Sequence, residues 1–205
     1  MPIHYAAYGG SLEVTSFLCS HGVNVNSVVD GYTPVFYASC SKSPQLLRLL
    51  LQNGATVNAN VRFSDRSPFM NAILLKDIET LELLIEHGFN IQGSDNKDLS
   101  ILMKAISLRL YDSVKLLLDA GANVSYTTSK GTNALYTACF QQSYEIVQLL
   151  IDYGINVFQV DNLGQNAAHW AAASGDPNIL RLILDCGVSP LIPDNVFLCF
   201  LMVFF

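Results

Sequence analysis

The sequence predicts an all-α solenoid, a stack of repeated helix pairs, because two independent columns of residues recur at one interval. Glycine closes an apolar helical stretch at Gly22, Gly54, Gly88, Gly121, Gly154 and Gly187, at intervals of 32, 34, 33, 33 and 33 residues. Alanine keeps the same period at Ala6, Ala38, Ala72, Ala105, Ala138 and Ala171. A period near 33 residues marks a repeat array in which no unit can bury its apolar stripe alone and stacked neighbours bury it together. The 205 residues are therefore expected to form one elongated folded unit.

Taken in order, the first repeat opens Met1-Pro2-Ile3-His4, passes Ala6-Ala7 and Gly10, continues through Val14, Phe17 and Leu18, and stops at Gly22. This resembles the ankyrin repeat, whose pattern runs T-P-L-H-x-A-A-x-x-G-H, then an apolar helix, then G-A-x-V-N-A. The resemblance covers about residues 1–190. It implies paired antiparallel helices joined by β-hairpin finger loops, in repeats at about 1–29, 30–62, 63–95, 96–128, 129–161 and 162–190, followed by an apolar tail at 191–205. Met1 stands where the family has threonine, so the finger of this repeat is missing; the expectation is either an N-terminally shortened product or an incomplete cap.

The second repeat, from Asp30-Gly31-Tyr32-Thr33-Pro34 to Val57-Asn58-Ala59, follows the pattern more closely, with Phe36 in place of histidine. The later repeats enter at Ser67-Pro68, Ser100-Ile101, Asn133-Ala134 and Asn166-Ala167. Every entry but Met1 places a hydroxyl or amide where a helix N-cap needs an acceptor for an orphan backbone N–H. Proline at Pro2, Pro34 and Pro68 suits the first turn, where no amide hydrogen bond is lost.

The second helix of each unit carries the stripe to be buried: Leu46, Leu47, Leu49, Leu50 and Leu51 correspond to Ile146, Val147, Leu149, Leu150 and Ile151 and to Ile179, Leu180, Leu182, Ile183 and Leu184. Burial is worth roughly 1.5–3 kcal/mol per large side chain. The alanine column is the close-contact point, where overpacking costs about 1–3 kcal/mol. The glycine column supplies the left-handed residue past each helix end. At the end of the first helix, the glycine usual in the family is kept at Gly10 and Gly175 but replaced by Lys42, Lys76, Arg109 and Gln142. If that backbone stays left-handed, each replacement costs on the order of 1 kcal/mol.

Beyond Val188-Ser189-Pro190 the pattern breaks, and Val196 to Phe205 is an uninterrupted apolar run. Ten helical residues rise only about 15 Å, too short for a hydrocarbon core near 30 Å, so no transmembrane span is expected. The run is expected to come from a truncated or spliced product and to fold back over the open end of the sixth repeat; peripheral membrane contact is the alternative.

Composition bounds the function. Apolar residues make up 51% and charged residues 14%, which argues against disorder. With a net charge of −6 and 11 scattered Lys and Arg, nucleic-acid binding through phosphate neutralisation is not expected. Cys19, Cys40, Cys139, Cys186 and Cys199 are odd in number and widely spaced, which predicts reduced thiols in an intracellular protein, cytoplasmic or nuclear. No secretory leader, nucleotide loop, nucleophile elbow or metal motif is present, so no catalysis, cofactor or metal is expected. Cys139 is expected to be a core thiol. The resemblance implies that His4 and His169 bond backbone across the repeat junction. His21 and His87 sit at helix C-termini, where an imidazolium suits the dipole.

What remains is a binding surface. In the family the fingers and first helices line a concave groove that holds partner proteins. That register selects Tyr5, Tyr8, Tyr32, Tyr37, Arg66, Lys104, Phe140 and Trp170 as candidate partner-binding residues, among side-chain types enriched at interface hot spots. Packing against a neighbouring finger is the competing role for these rings. The Lys42, Lys76 and Arg109 column could meet an acidic partner, or simply suit a helix C-terminus. The expected function is a non-enzymatic protein-protein interaction scaffold. The alternative is the substrate-recognition or targeting portion of a ubiquitin-ligase adaptor or larger multidomain protein, truncated here.

Overall fold

The computed structural model describes residues 1–57, 67–95, 97–192 and 194–195. Among them are twelve short α-helices arranged as six pairs. The first three pairs are α1 (Pro2–Tyr8) with α2 (Leu12–Ser20), α3 (Pro34–Cys40) with α4 (Pro44–Gln52), and α5 (Pro68–Leu75) with α6 (Ile78–Glu86). The last three are α7 (Ile101–Ser107) with α8 (Tyr111–Asp119), α9 (Ala134–Phe140) with α10 (Tyr144–Asp152), and α11 (Ala167–Ser174) with α12 (Pro177–Asp185). The apolar tail 196–205 and Arg66 lie outside the described residues, so the expected fold-back of the tail does too.

Where the repeat count suggests one folded unit, the chain divides into two compact units, Met1–Asn96 and Lys97–Phe205. A stack of repeats has no common centre, because each repeat packs only on its neighbours. In the first unit α1, α3 and α5 form one layer and α2, α4 and α6 a second; in the other, α7, α9 and α11 face α8, α10 and α12 in the same way. The predicted stripe is the core: Leu46, Leu47, Leu50 and Leu51 are buried in one unit, and Ile146, Val147, Leu149 and Leu150 in the other. All six alanines of the repeating column are buried as well.

The turn between paired helices explains the left-handed column. After α5 the Lys76 amide donates to the Ile73 carbonyl at 3.0 Å, and the Asp77 amide reaches back to the Ala72 carbonyl at 2.9 Å. Asp77 is also the N-cap of α6, where its carboxylate accepts from the Thr80 amide at 3.1 Å. One residue thus closes one helix and starts the next, which obliges the residue before it to turn left-handed. Ser11, Leu110 and Ser143 make the same backbone bond to Ala6, Ala105 and Ala138. Lys42, Lys76, Arg109 and Gln142 accordingly have φ of 51°, 56°, 55° and 54°, beside 70° at Gly10 and 78° at Gly175. The predicted strain is therefore present at all four. Arg109 and Gln142 also extend to the next repeat, donating to the Gln142 carbonyl at 3.3 Å and to the Ser174 carbonyl at 2.6 Å.

The helix entries correct two expectations. Ser67, Ser100, Asn133 and Asn166 cap their helices through side-chain bonds, but Thr33 makes none. His4 bonds as expected, with Nε2 at 3.1 Å from the Ser27 carbonyl. His169 instead turns back to its own N-cap, with Nδ1 2.7 Å from Asn166 Oδ1. The junction bond is made there by Asn166, whose Nδ2 donates to the Ser189 carbonyl at 3.1 Å. An amide has donor and acceptor together, so Asn166 caps the helix and spans the junction at once. His21 and His87 place Nδ1 2.8 Å from the Phe17 and Leu83 carbonyls, satisfying acceptors that the helix end leaves open.

Candidate functional site

In the first unit, the sequence at the tip of the second finger builds a rigid corner. Asp30 and Gly31 have φ of 52° and 84°, and Val29 and Tyr32 exchange backbone bonds of 3.0 and 2.9 Å, forming a two-residue hairpin turn with both central residues left-handed. Asp-Gly is a pair that favours this turn, since aspartate tolerates and glycine readily adopts the conformation. Tyr32 then stacks on Phe36 at 4.2 Å between ring centroids, and Tyr37 stands edge-on to His4, Tyr8 and Phe36 at 5.6, 6.2 and 5.5 Å. Edge-to-face geometry at these spacings is favourable, so the rings hold one another in place.

Beside this cluster lies a cavity of about 260 Å³ lined by Met1, His4, Tyr5, Tyr8, Val29, Asp30 and Tyr37. Tyr5 and Tyr8, on one face of α1, are 79% and 65% exposed, although neither is needed to fill the core. The structure thus brings together four of the candidates, Tyr5, Tyr8, Tyr32 and Tyr37. Their roles differ: Tyr32 and Tyr37 are half-buried supports, whereas Tyr5 and Tyr8 are free to meet a partner.

In the second unit, a smaller cavity of about 150 Å³ is lined by Leu99, Met103, Thr132, Tyr136, Thr137, Phe140 and Trp170. Trp170 lies parallel to Tyr136 at 5.7 Å, with Phe140 edge-on to it at 6.4 Å. The Trp170 indole donates to Asp161 at 3.3 Å, and the Tyr136 hydroxyl donates to the Gln159 carbonyl. Burial and the nearby Asp161 carboxylate push the Tyr136 phenol well above its ordinary range. Phe140, 62% exposed, is the ring left open to solvent. Lys104 is half-buried on α7 and lines neither cavity.

Asp30, Met103 and Tyr136 escape the sequence register because they lie outside its selected columns. The Asp30-Gly31 turn signal could have found the first of them. Nucleophilic chemistry has no support at Cys139, which is fully buried and whose thiol is pushed up to about 12 by desolvation. Cys40 is half-buried on the first-helix layer; it accepts from Asn71 Nδ2 at 3.1 Å, and burial raises its thiol. Among the described residues no cluster of His, Cys, Asp and Glu could hold a metal ion, and no helix is long and apolar enough to cross a membrane.

The sequence matches a family described as "Ankyrin repeats (3 copies)" over residues 1–61, 57–128 and 124–194. The ankyrin repeat protein FPV244 of Fowlpox virus (strain NVSL) is 34% identical over 95 residues, which are 46% of this chain and 14% of that protein. The crystallised ankyrin repeat domain of human ASB11 superimposes with a TM-score of 0.77 at 25% identity, covering 95% of this chain and 87% of that one. The ankyrin repeat domain of Bcl-3, described as a unique member of the IkappaB protein family, gives a TM-score of 0.83 at 24% identity, covering 95% of this chain and 90% of that one.

Proposed function

The chain belongs to the ankyrin-repeat family, and from that premise we infer that it is a non-enzymatic scaffold whose first helices and fingers bind a protein partner. Ankyrin repeats are generally protein-interaction modules. The observation that carries the reading is the exposure of Tyr5 and Tyr8 on the first-helix layer of one unit and of Phe140 on that of the other, at positions where a polar residue would serve the stack equally well. Rings held in register by packed neighbours are ordered before binding, so a partner meets them at little further entropic cost. Four described cysteines are free thiols, which supports a reducing compartment, cytoplasm or nucleus.

The test is affinity capture with the full chain against a Tyr5→Ala, Phe140→Ala variant. Both rings are exposed, so the helical circular dichroism should persist while retention of the partner falls by about tenfold or more, as hot-spot truncation does. Equal retention would remove these surfaces from the interface. A second reading, that this stretch is the recognition or targeting portion of a larger protein such as a ubiquitin-ligase adaptor, draws support from coverage: the aligned stretch is only 14% of FPV244. Immunoblotting of the endogenous product tests it, and a mass well above 22.5 kDa is the expected result.

A further inference from the structure

We propose that the outward face of α2 is covered in the native protein by a further helix pair of the same kind, supplied by chain that precedes Met1. The inference rests on the reading that this stretch belongs to a larger protein, and it names the end that is extended and the kind of extension. Counting from the left-handed residue of each turn defines the face. The fourth residue on is Val14 after Gly10, Leu46 after Lys42, Ile146 after Gln142 and Ile179 after Gly175. Leu46, Ile146 and Ile179 are 0% exposed, whereas Val14 is 50% exposed. At the eighth residue Leu50 and Ile183 are likewise 0% exposed and Leu18 is only half-buried. Phe17 is 62% exposed where its counterpart Leu149 is 8%.

The preceding helix pair covers these counterparts. Leu46 and Leu50 of α4 share a buried cluster with Ile3 and Ala7 of α1, and Leu18 and Cys19 of α2 pack against it. In the last pair, Ile179 and Ile183 of α12 are buried where that helix packs on α10 and on its own α11. The column therefore faces backward along the array. The adjacent column faces forward: Thr15 is buried and Leu180 half-buried, the reverse of Val14 and Ile179. Thus α2 presents the surface that its counterparts bury against a preceding repeat, and presents it open to solvent. An array needs a polar outer face where it ends, and an exposed valine and phenylalanine do not supply one. They are the side chains of an internal repeat, and the apolar stripe of another second helix is what the equivalent surface meets inside each unit.

Peptide mapping of the endogenous product by mass spectrometry is the first test. It should recover sequence upstream of Met1 with an alanine and a glycine about 33 residues before Ala6 and Gly22, the period of the array. Hydrogen exchange is the second. Val14→Ser, Phe17→Ser should change exchange of the α2 amides by no more than about twofold in the 205-residue chain, and speed it about tenfold or more in the longer product, where both side chains are covered. An upstream segment without the pattern, or equal effects in the two backgrounds, would overturn the proposal. Self-association of the 205-residue chain that the double variant abolishes would assign the face to a second copy and overturn it too. A product lengthened only beyond Phe205 would sink this inference and leave the larger-protein reading standing, whereas a product of 22.5 kDa would fail both.

Discussion

Four side chains in the turns between paired helices hold a left-handed backbone without being glycine, and they divide by what their long side chains do. Lys42 and Lys76 are exposed and, among the described residues, their side chains make no hydrogen bond or ion pair, so they bear the strain uncompensated. Arg109 and Gln142 each donate to a carbonyl one repeat on. Lys76→Gly should therefore raise stability by about 1 kcal/mol, the usual left-handed penalty less the extra chain entropy of glycine, whereas Gln142→Gly should gain little because it also loses a bond. Urea midpoints of the two variants check the contrast. Cys139 supports a second expectation. Its folded-state value lies above the unfolded one, so between about pH 9 and 12 the unfolded thiol has lost a proton that the native one keeps. Stability should be level below pH 9 and fall above it by roughly 1.4 kcal/mol per pH unit from this group, with Tyr136 adding to the slope at higher pH. Cys139→Ala should flatten the first part of that fall in alkaline unfolding curves.

Among the second helices, α8 and α10 start without a side-chain cap, Ser143 making no such bond before α10. Ser11, Ser43, Asp77 and Asp176 accept backbone amides at the heads of α2, α4, α6 and α12, but Leu110 before α8 cannot. Replacing Leu110 by aspartate should stabilise the chain by about 1 kcal/mol, reduced by whatever its half-buried side chain contributes. A thermal melt of L110D that comes out below the parent would show that burial outweighs the cap. The fingers of the second unit depend on close approach instead. A Cβ on Gly131 would meet Asn162 at 2.8 and 2.9 Å and the Asp161 Cα at 3.0 Å, where the Asn162 amide bonds the Lys130 carbonyl, so the glycine is required by the neighbouring finger as well as by its φ of 78°.

For the whole molecule, repeats stabilised by their neighbours predict local responses to damage. Leu50→Ala empties a fully buried position on α4 and should cost about 2–5 kcal/mol. Hydrogen exchange should then show the lost protection concentrated in residues 1–95, with amides of the second unit less affected. Uniform loss across both would show that they unfold together.

The repeat period, the helix pairs, the buried stripe and the left-handed column were all legible in the sequence, because each is imposed by local geometry and recurs six times, so that Gly121 or Leu117 means the same thing in every copy. The candidate rings were legible only as exceptions to that recurrence, and the sequence could not separate Tyr5 from Tyr37 or Phe140 from Trp170. Tertiary structure decided which rings are supports and which stand free, because exposure depends on what the next repeat places alongside. It likewise placed Asp30 and His4 beside three tyrosines, a juxtaposition of residues up to 33 positions apart that no local pattern records. Local propensity and period determined the scaffold; contacts distant in sequence determined the surface that distinguishes it.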